Sequence, residues 1–504
     1  MNTSGIVIIP PLLVIASVIL TRRMIVSFLI GIVSSALIAT NGSLIETTIL
    51  TGTKLWHSSG LENLKSVHTF WGSWNLLTFI FLIMLGILIV LLTKTGAAQA
   101  YVNVVQKRVH SKKSVEIASL LLSFLFFIDD YFSALTVGSV MRPLAQLYNV
   151  HPLKMAFLTT VMASPLTILS PLSSWIGEIV PQLRQVGINS GNEHTVILAD
   201  PYFAFIKTIP YNAYPLILII STWYIVIRRI SFGPMKQYEK THSFVTSGTD
   251  SFTPSNKSLF DFLFPIILLI TVVFLMALYT GNAWVMGGTE GFAEAIKQAS
   301  MHQALFTGGL VSITCSSLYF ISTKTITTRT FLHCVKKGFN LMFPSIIMLI
   351  CAWSLGSILK NELKTGSYIA GLLSNHVTLE LFPALCFLFS TFVACMIGSA
   401  WATIGLMFPL IIDMLQKLLS LGSAVPLDSV PLILPVLGAT LSGCILGTHF
   451  SFLSDNPIMS SASTGASHVE HLKTMAWYII PIAVATGCNF MLMGFLLPYF
   501  PTTV

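Results

Sequence analysis

Long apolar runs alternate with short polar breaks along the whole chain. They read as residues 5 to 21, 24 to 40, 75 to 93, 115 to 148, 153 to 178, 202 to 227, 259 to 280, 305 to 322, 339 to 358, 379 to 414, 428 to 452 and 474 to 499. A bilayer core about 30 Å thick takes about 20 apolar residues per helix. The pattern therefore predicts an all-α polytopic membrane protein with roughly 11 to 12 transmembrane segments. The first run follows Met1-Asn2-Thr3-Ser4-Gly5 with no basic stretch or A-x-A cleavage site, so it is read as a retained span.

Several runs do not fit plain helices. Segments 115 to 148 and 379 to 414 are longer than one span, while 153 to 178 and 428 to 464 are crowded with Pro, Gly and Ser. Irregular backbone survives at membrane depth only where protein or a polar cavity satisfies it, so these segments predict discontinuous helices or re-entrant hairpins. The most polar long stretch, Arg228 to Ser258, reads as a cytoplasmic linker between transmembrane halves at 1–227 and 259–504. Leu44 to Trp74 and Asn282 to Gln303 are mixed in character and are expected at the membrane interface or capping the extracytoplasmic face.

Short motifs recur in the same order in the two halves. Gly86 followed by Lys94-Thr95-Gly96 is echoed by Gly356 followed by Lys364-Thr365-Gly366. Thr136-Val137-Gly138 with Met141 and Pro143-Leu144 is echoed by Thr403-Ile404-Gly405 with Met407 and Pro409-Leu410. Leu169-Ser170 with Ser173-Ser174 is echoed by Leu453-Ser454 with Ser460-Ser461. The span ending near Thr93 precedes a basic loop and the span starting near Asn340 follows one, so equivalent segments should cross in opposite directions. That is the pattern of an inverted-topology repeat, which places a substrate site near the midplane where discontinuous helices meet.

Composition sharpens this picture. The 504 residues are 54% hydrophobic and 9% charged, against about 25% charged in a soluble domain. The net charge of +8 sits in short loops, at Arg22-Arg23, Lys107-Arg108, Lys112-Lys113, Arg228-Arg229 and Lys336-Lys337. Such clusters mark cytoplasmic loops rather than a nucleic-acid surface. All seven cysteines lie from Cys315 onward without CxxC spacing, which indicates neither a disulfide framework nor a zinc site. No Walker loop, HExxH or paired nucleophile and base is present, and no cofactor is expected.

The chemistry concentrates in four segments. Asp129 and Asp130 lie in an apolar run, where each charge costs at least about 2.5 to 3.5 kcal/mol. Helical neighbours point about 100° apart, so the two carboxylates share a spot only if the backbone unwinds. On a continuous helix Asp129, Ser133 and Thr136 share one face, offering a carboxylate and two hydroxyls suited to a hard cation such as Na+. A proton would compete for the same carboxylate, which is sufficient for exchange provided the empty charged site cannot readily change access. The competing reading is a helix cap, or pairing with Arg142, which a continuous helix would put about 20 Å away.

The second segment, Ala163 to Trp175, has two prolines and places Ser170, Ser173 and Ser174 at the breaks. Its counterpart, Gly447 to Pro457, holds His449, Ser454, Asp455 and Asn456. Gly398-Ser399-Ala400-Trp401-Ala402-Thr403 allows close backbone approach beside the hydroxyls of Ser399 and Thr403. Ser467 to Lys473 imitates a metal cluster on paper through His468, Glu470 and His471, but reads as a solvated or helix-capping loop at the membrane edge.

These residues resemble the NhaC family of Na+/H+ antiporters, within the larger ion-transporter superfamily. Asp129-Asp130-Tyr131 through Arg142-Pro143 resembles the family's first signature, and Ser170 to Trp175 its second. Gly398-Ser399 through Pro409, Ser454-Asp455 with Ser460-Ser461, and His468 through Thr474 resemble the C-terminal set. The resemblance implies a dozen-helix antiporter of the inner membrane that uses a transmembrane gradient, with Na+ and H+ as transported or coupling ions. It implies that Asp129 and Asp130 are ion-binding or proton-coupling carboxylates, with Asp455 in the opposite half. The chain departs from the family pattern at Ala145-Gln146, Asn456-Pro457 and Ala400-Trp401-Ala402. An organic acid or amino acid carrier of the same fold is therefore the alternative to Na+/H+ exchange. The expected partners are a small ion or small-molecule substrate and the lipid bilayer, and a homodimer is left open.

Overall fold

The computed structural model describes residues 5–21, 23–191, 195–241, 258–373, 378–419, 424–430 and 432–496. Among the described residues, ten helices are long and apolar enough to cross a membrane, and two shorter apolar helices, Gly5–Val18 and Met24–Ala39, precede them. The chain is a multi-pass membrane protein. Apart from helices, the described residues form one small sheet of three parallel two-residue strands, β1 (Ile188–Asn189), β2 (Ile197–Leu198) and β3 (Val425–Pro426). Large apolar side chains such as Leu121, Phe124, Ile220, Phe389 and Val484 are exposed, as expected of a surface solvated by lipid.

The overlong segments resolve into hairpins and broken helices. Hairpin 1 pairs Lys112–Leu125 with Asp130–Leu147 around the non-helical tip 126–129. Its two outer ends, Ser111 to Lys113 and Asn149 to His151, line one cavity, so the hairpin enters and leaves by the same basic face. Broken helix 1 runs inward from that face as Pro152–Leu169, opens at 170–175, and continues as Ile176–Gln185 to the opposite face. There Lys360 Nζ donates to the Gln185 carbonyl at 2.9 Å.

The second half repeats this upside down. Hairpin 2 pairs Phe382–Ile397 with Ala400–Leu418 around Gly398-Ser399. It opens on the face opposite hairpin 1, where β3 joins β2 just beyond the exit of broken helix 1. Broken helix 2 consists of Ile433–Phe450 and Asp455–Thr464, interrupted at 451–454. Every side chain from Leu153 to Ile168 and from Pro435 to His449 is buried, so the inner arms of both broken helices form the centre of the molecule. Helices that are apolar on all sides belong there.

The repeat register read from sequence is corrected by the caps. Ser170 ends the first inner arm and its hydroxyl accepts from Leu172 N at 3.2 Å; Ser451 does the same with Leu453 N at 3.3 Å. Ser170 therefore corresponds to Ser451, not to Ser454. In the hairpins, Asp129 and Ser399 are both extended N-caps accepting from the backbone N–H three residues on. A motif match on common residues slipped by about one helical turn, a shift that leaves the apolar pattern almost unchanged.

Other expectations need adjusting. Residues 242–257 of the expected linker lie outside the described residues, as does Arg22. The preceding part, Gly233–Thr241, is a helix, and it docks on the final helix His468–Leu496, where Phe232 N donates to Tyr478 Oη at 3.3 Å.

Helices Trp74–Thr95 and Thr328–Ser357 cross at Gly86 and Gly338. A Cβ on Gly338 would lie 2.4 Å from Ile87 N. Without a hydrophobic force between helices in lipid, such close packing of small residues drives association. Gly338→Val should lower stability by about 1–3 kcal/mol, seen as a reduced Tm in detergent. Gly52→Ala, with open space around the added methyl, should leave Tm unchanged.

Candidate functional site

The two hairpin tips and the two helix breaks meet at one narrow cavity. Its walls are Asp130, Tyr131, Ser164, Trp175, Gly398, Ser399, Ala400, Trp401, Thr448, Ser454, Asp455 and Asn456, and its free volume is about 20 Å³. A space of 10–15 Å³ already holds one water, so this cavity holds one small ion or one water.

Asp129 and Asp130 are 1% and 4% exposed, and among the described residues no Lys or Arg pairs with either. Hydrogen bonds hold them instead. Asp129 Oδ1 accepts from Phe132 N at 2.8 Å and Oδ2 from Ser174 Oγ at 2.9 Å. Asp130 Oδ2 accepts from Ser164 Oγ at 3.0 Å and Oδ1 from Trp175 Nε1 at 3.2 Å. Hydrogen bonds to charged groups contribute about 1.5–3 kcal/mol each. Four of them are therefore comparable with the roughly 5–7 kcal/mol that inserting two carboxylates costs.

Asp129 thus caps the second arm of hairpin 1, and Asp130 faces the cavity. Because the helix begins only at Asp130, Asp129 lies in extended backbone (φ −152°, ψ 132°), and the expected face of Asp129, Ser133 and Thr136 does not form. No hydrogen bond joins Ser133 or Thr136 to that carboxylate, and the buried Ser133 hydroxyl has no hydrogen-bond partner. Arg142 does not reach the pair either; its guanidinium packs beside Gly465.

Two bridges tie the halves together at the cavity. Asn456 Nδ2 donates to Ser164 Oγ at 2.6 Å, and Ser164 in turn donates to Asp130. Tyr131 Oη donates to Asp455 Oδ2 at 3.4 Å. Ser399, Ser454, Asp455 and Asn456 are thereby gathered with Asp130, and Ser174 stands one bond behind through Asp129. The other sequence candidates are placed differently. Ser170 and Ser173 bond within their own turn, and Thr403 bonds back to the Ser399 carbonyl at 2.8 Å. Buried His449 shares a 2.8 Å hydrogen bond with Tyr214 Oη away from the cavity. Asp129, Asp130 and Asp455 do not close into a metal-ligand cluster; among the described residues no three His, Cys, Asp or Glu side chains do. His471, expected at a solvated edge, is buried against Thr160 Oγ1 at 2.9 Å.

The sequence reading passed over Trp175, Tyr131, Ser164, Trp401 and Thr448 as wall residues, and also Glu178. Glu178 is fully buried on the outer arm of broken helix 1, accepting from Trp353 Nε1 at 2.9 Å and Gln182 Nε2 at 3.5 Å. A carboxylate amid Ile176, Ile179 and Val180 carried the signal that singled out Asp129.

A model of the Na+/H+ antiporter family matches residues 166–495, well over half of the chain. The chain belongs to that family. It is a secondary transporter, not an enzyme. An uncharacterized protein of Haemophilus influenzae is 27% identical over 97% of this chain and 90% of its own length. The malate-2H+/Na+-lactate antiporter of Bacillus subtilis is 28% identical over 32% of each chain. Two solved structures share the fold at 13% identity. MtrF of Neisseria gonorrhoeae, described as illuminating a class of antimetabolite efflux pumps, has a TM-score of 0.56 over 92% of this chain and 86% of its own. The Alcanivorax borkumensis YdaH transporter, described as having an unusual topology, has a TM-score of 0.54 over 89% of this chain and 90% of its own.

Gly398 holds the cavity's second tip. Its φ of +80° is left-handed, and a Cβ there would lie 2.7 Å from Leu453 Cβ in the opposing break. Left-handed backbone alone costs a side-chain-bearing residue about 1–2 kcal/mol. Gly398→Ala should lower Tm and reduce transport at unchanged membrane abundance, measured in vesicles matched for protein content.

Proposed function

We propose that this transporter exchanges Na+ for H+ across the inner membrane, with the midplane cavity alternately holding each ion. The observation that carries this reading is the cavity's chemistry: Asp130 and Asp455 line it with hydroxyl and amide oxygens, and no Lys or Arg does. An oxygen-rich wall bearing carboxylates suits a hard monovalent cation and disfavours an anion. Asp130 is the principal shared ligand of the two ions, and Asn456 and Ser164 transmit its state to the opposite repeat. Because carboxylate oxygens serve both ions, proton and cation binding exclude each other, which is the requirement for exchange.

A second reading, a carrier of organic acids coupled to Na+ or H+, draws on the partial similarity to the malate-2H+/Na+-lactate antiporter. The cavity wall favours the first reading, since an organic anion would meet Asp130 and Asp455 there with no Lys or Arg to pair it.

Reconstituted protein should acidify or alkalinise vesicles in response to an imposed Na+ gradient, read with a pH-sensitive dye. Asp130→Asn should reduce that flux by at least tenfold, as expected when the shared ligand loses its charge, about 1.4 kcal/mol or more. Flux that appears only when an organic acid is added would select the second reading. Undiminished Na+-driven flux in Asp130→Asn would reject the role of this carboxylate.

A further inference from the structure

We propose that the basic face carries a second site, one that binds a phosphate-bearing anion of small-molecule size. A cavity of about 500 Å³ opens there between hairpin 1, broken helix 1 and the helix Gly233–Thr241. Lys112, Lys113, Lys154, Arg229, Lys236 and Lys240 line it. Glu116 and Glu239 are its acidic residues, so six cations against two carboxylates leave four positive charges in excess. The volume falls within the roughly 300–1,000 Å³ of small-molecule sites.

Basic cytoplasmic loops are general in membrane proteins and orient the chain. Orientation requires neither a concave wall nor a buried cation, and this cavity has both. Lys154 is 2% exposed and forms no ion pair within 4 Å. Its ammonium donates only a long 3.5 Å bond to the Ile230 carbonyl and lies 5.4 Å from the Tyr478 ring and 5.8 Å from that of Phe157. Glu116 on the same wall acts on Lys154 only through its field, beyond ion-pair distance, and a buried ammonium so partly matched remains costly unless a further counter-charge joins it. Ser231, on the same wall, has a buried hydroxyl with no hydrogen-bond partner. The helices Lys112–Leu125 and Pro152–Leu169 both begin at the cavity, adding the positive ends of two dipoles.

An anion bridging these groups would pair Lys154, satisfy Ser231 and span three separate elements. Phosphate fits the donor set because its several oxygens can accept from converging ammonium, guanidinium, hydroxyl and backbone groups. The site is distinct from the midplane cavity. Lys154 and Ser164 are ten residues apart on one helix, about 15 Å at the usual rise.

The full-length protein in detergent tests this with potassium pyrophosphate as the probe and potassium chloride of equal ionic strength as the control. Pyrophosphate should raise Tm saturably where chloride does not. The Lys236→Gln/Lys240→Gln double variant changes only exposed positions. It should raise the half-saturating concentration about tenfold or more, the factor of one lost charge-assisted hydrogen bond. Lys154→Gln should do the same. A parallel arm compares phosphatidylglycerol with phosphatidylcholine vesicles. Stabilisation by phosphatidylglycerol that the double variant abolishes would identify a lipid headgroup as the source, and stabilisation by pyrophosphate alone a soluble phosphate. The proposal is overturned if neither probe shifts Tm beyond its control, or if the double variant responds as the parent does. None of these readings depends on transport activity.

Discussion

Two adjacent carboxylates at membrane depth with no cation to pair them are the constraint around which this molecule is arranged. Water cannot reach them freely, and an unpaired charge in hydrocarbon is tolerated only if protein donors replace hydration. The four donors come from the start of the hairpin's second arm, from the break in the neighbouring helix and from the inner arm of that helix. Each helix interruption therefore has a partner. The unwound tip frees the Phe132 N–H for Asp129, and the break at 170–175 turns Ser174 and Trp175 toward the pair. Ser174 N also donates to the Ile128 carbonyl at 2.7 Å, satisfying a backbone group that the tip leaves open. Breaks and charges are one structural solution rather than two separate oddities.

The repeat is symmetric in backbone and asymmetric in chemistry. Matching caps makes Ser399 the counterpart of Asp129, while Ser174 corresponds to Asp455 through the shared Ser-x-Leu turns. One half thus puts its acids in the hairpin tip, and the other puts its acid in the broken helix. Two acidic tips face to face would have added carboxylate repulsion in a cavity lined by no Lys or Arg. The arrangement observed lets Tyr131 and Asn456 act as neutral links between acidic elements, so the halves are joined by hydrogen bonds rather than by ion pairs.

Much of this was legible in the sequence. Spans, breaks and the inverted order follow from apolar run length and from Pro, Gly and Ser placement, which depend on local chemistry. The site's principal members, Asp130, Ser399, Ser454, Asp455 and Asn456, stood out because polar residues at membrane depth need a reason. What sequence missed depends on angle and register. The proposed face of Asp129, Ser133 and Thr136 assumed a continuous helix and failed where the helix starts one residue later. Trp175 and Trp401 look like ordinary apolar residues until the fold turns an indole N–H onto Asp130 and sets the second ring 6.3 Å from the first. Lys154 sat unnoticed at a helix start, because a basic residue there satisfies the topology rule whether it is exposed or buried.

The midplane cavity bears on how the exchange proposed above would proceed. Gly398 in the second hairpin tip packs close to Leu453 in the opposing break, so widening the cavity between them requires the tip to shift relative to the break. Ser164 and Asn456 bridge those elements through Asp130, so the carboxylate's ionic state bears directly on the bond that holds the halves together. A charged Asp130 accepts the Ser164 hydrogen bond strongly and keeps the Asn456–Ser164–Asp130 chain intact. A protonated or cation-bound Asp130 accepts more weakly there and loosens the chain. On the proposed reading, in which Asp130 binds the ion, coupling between ion and movement needs no signal over a distance, since that carboxylate is itself part of the joint.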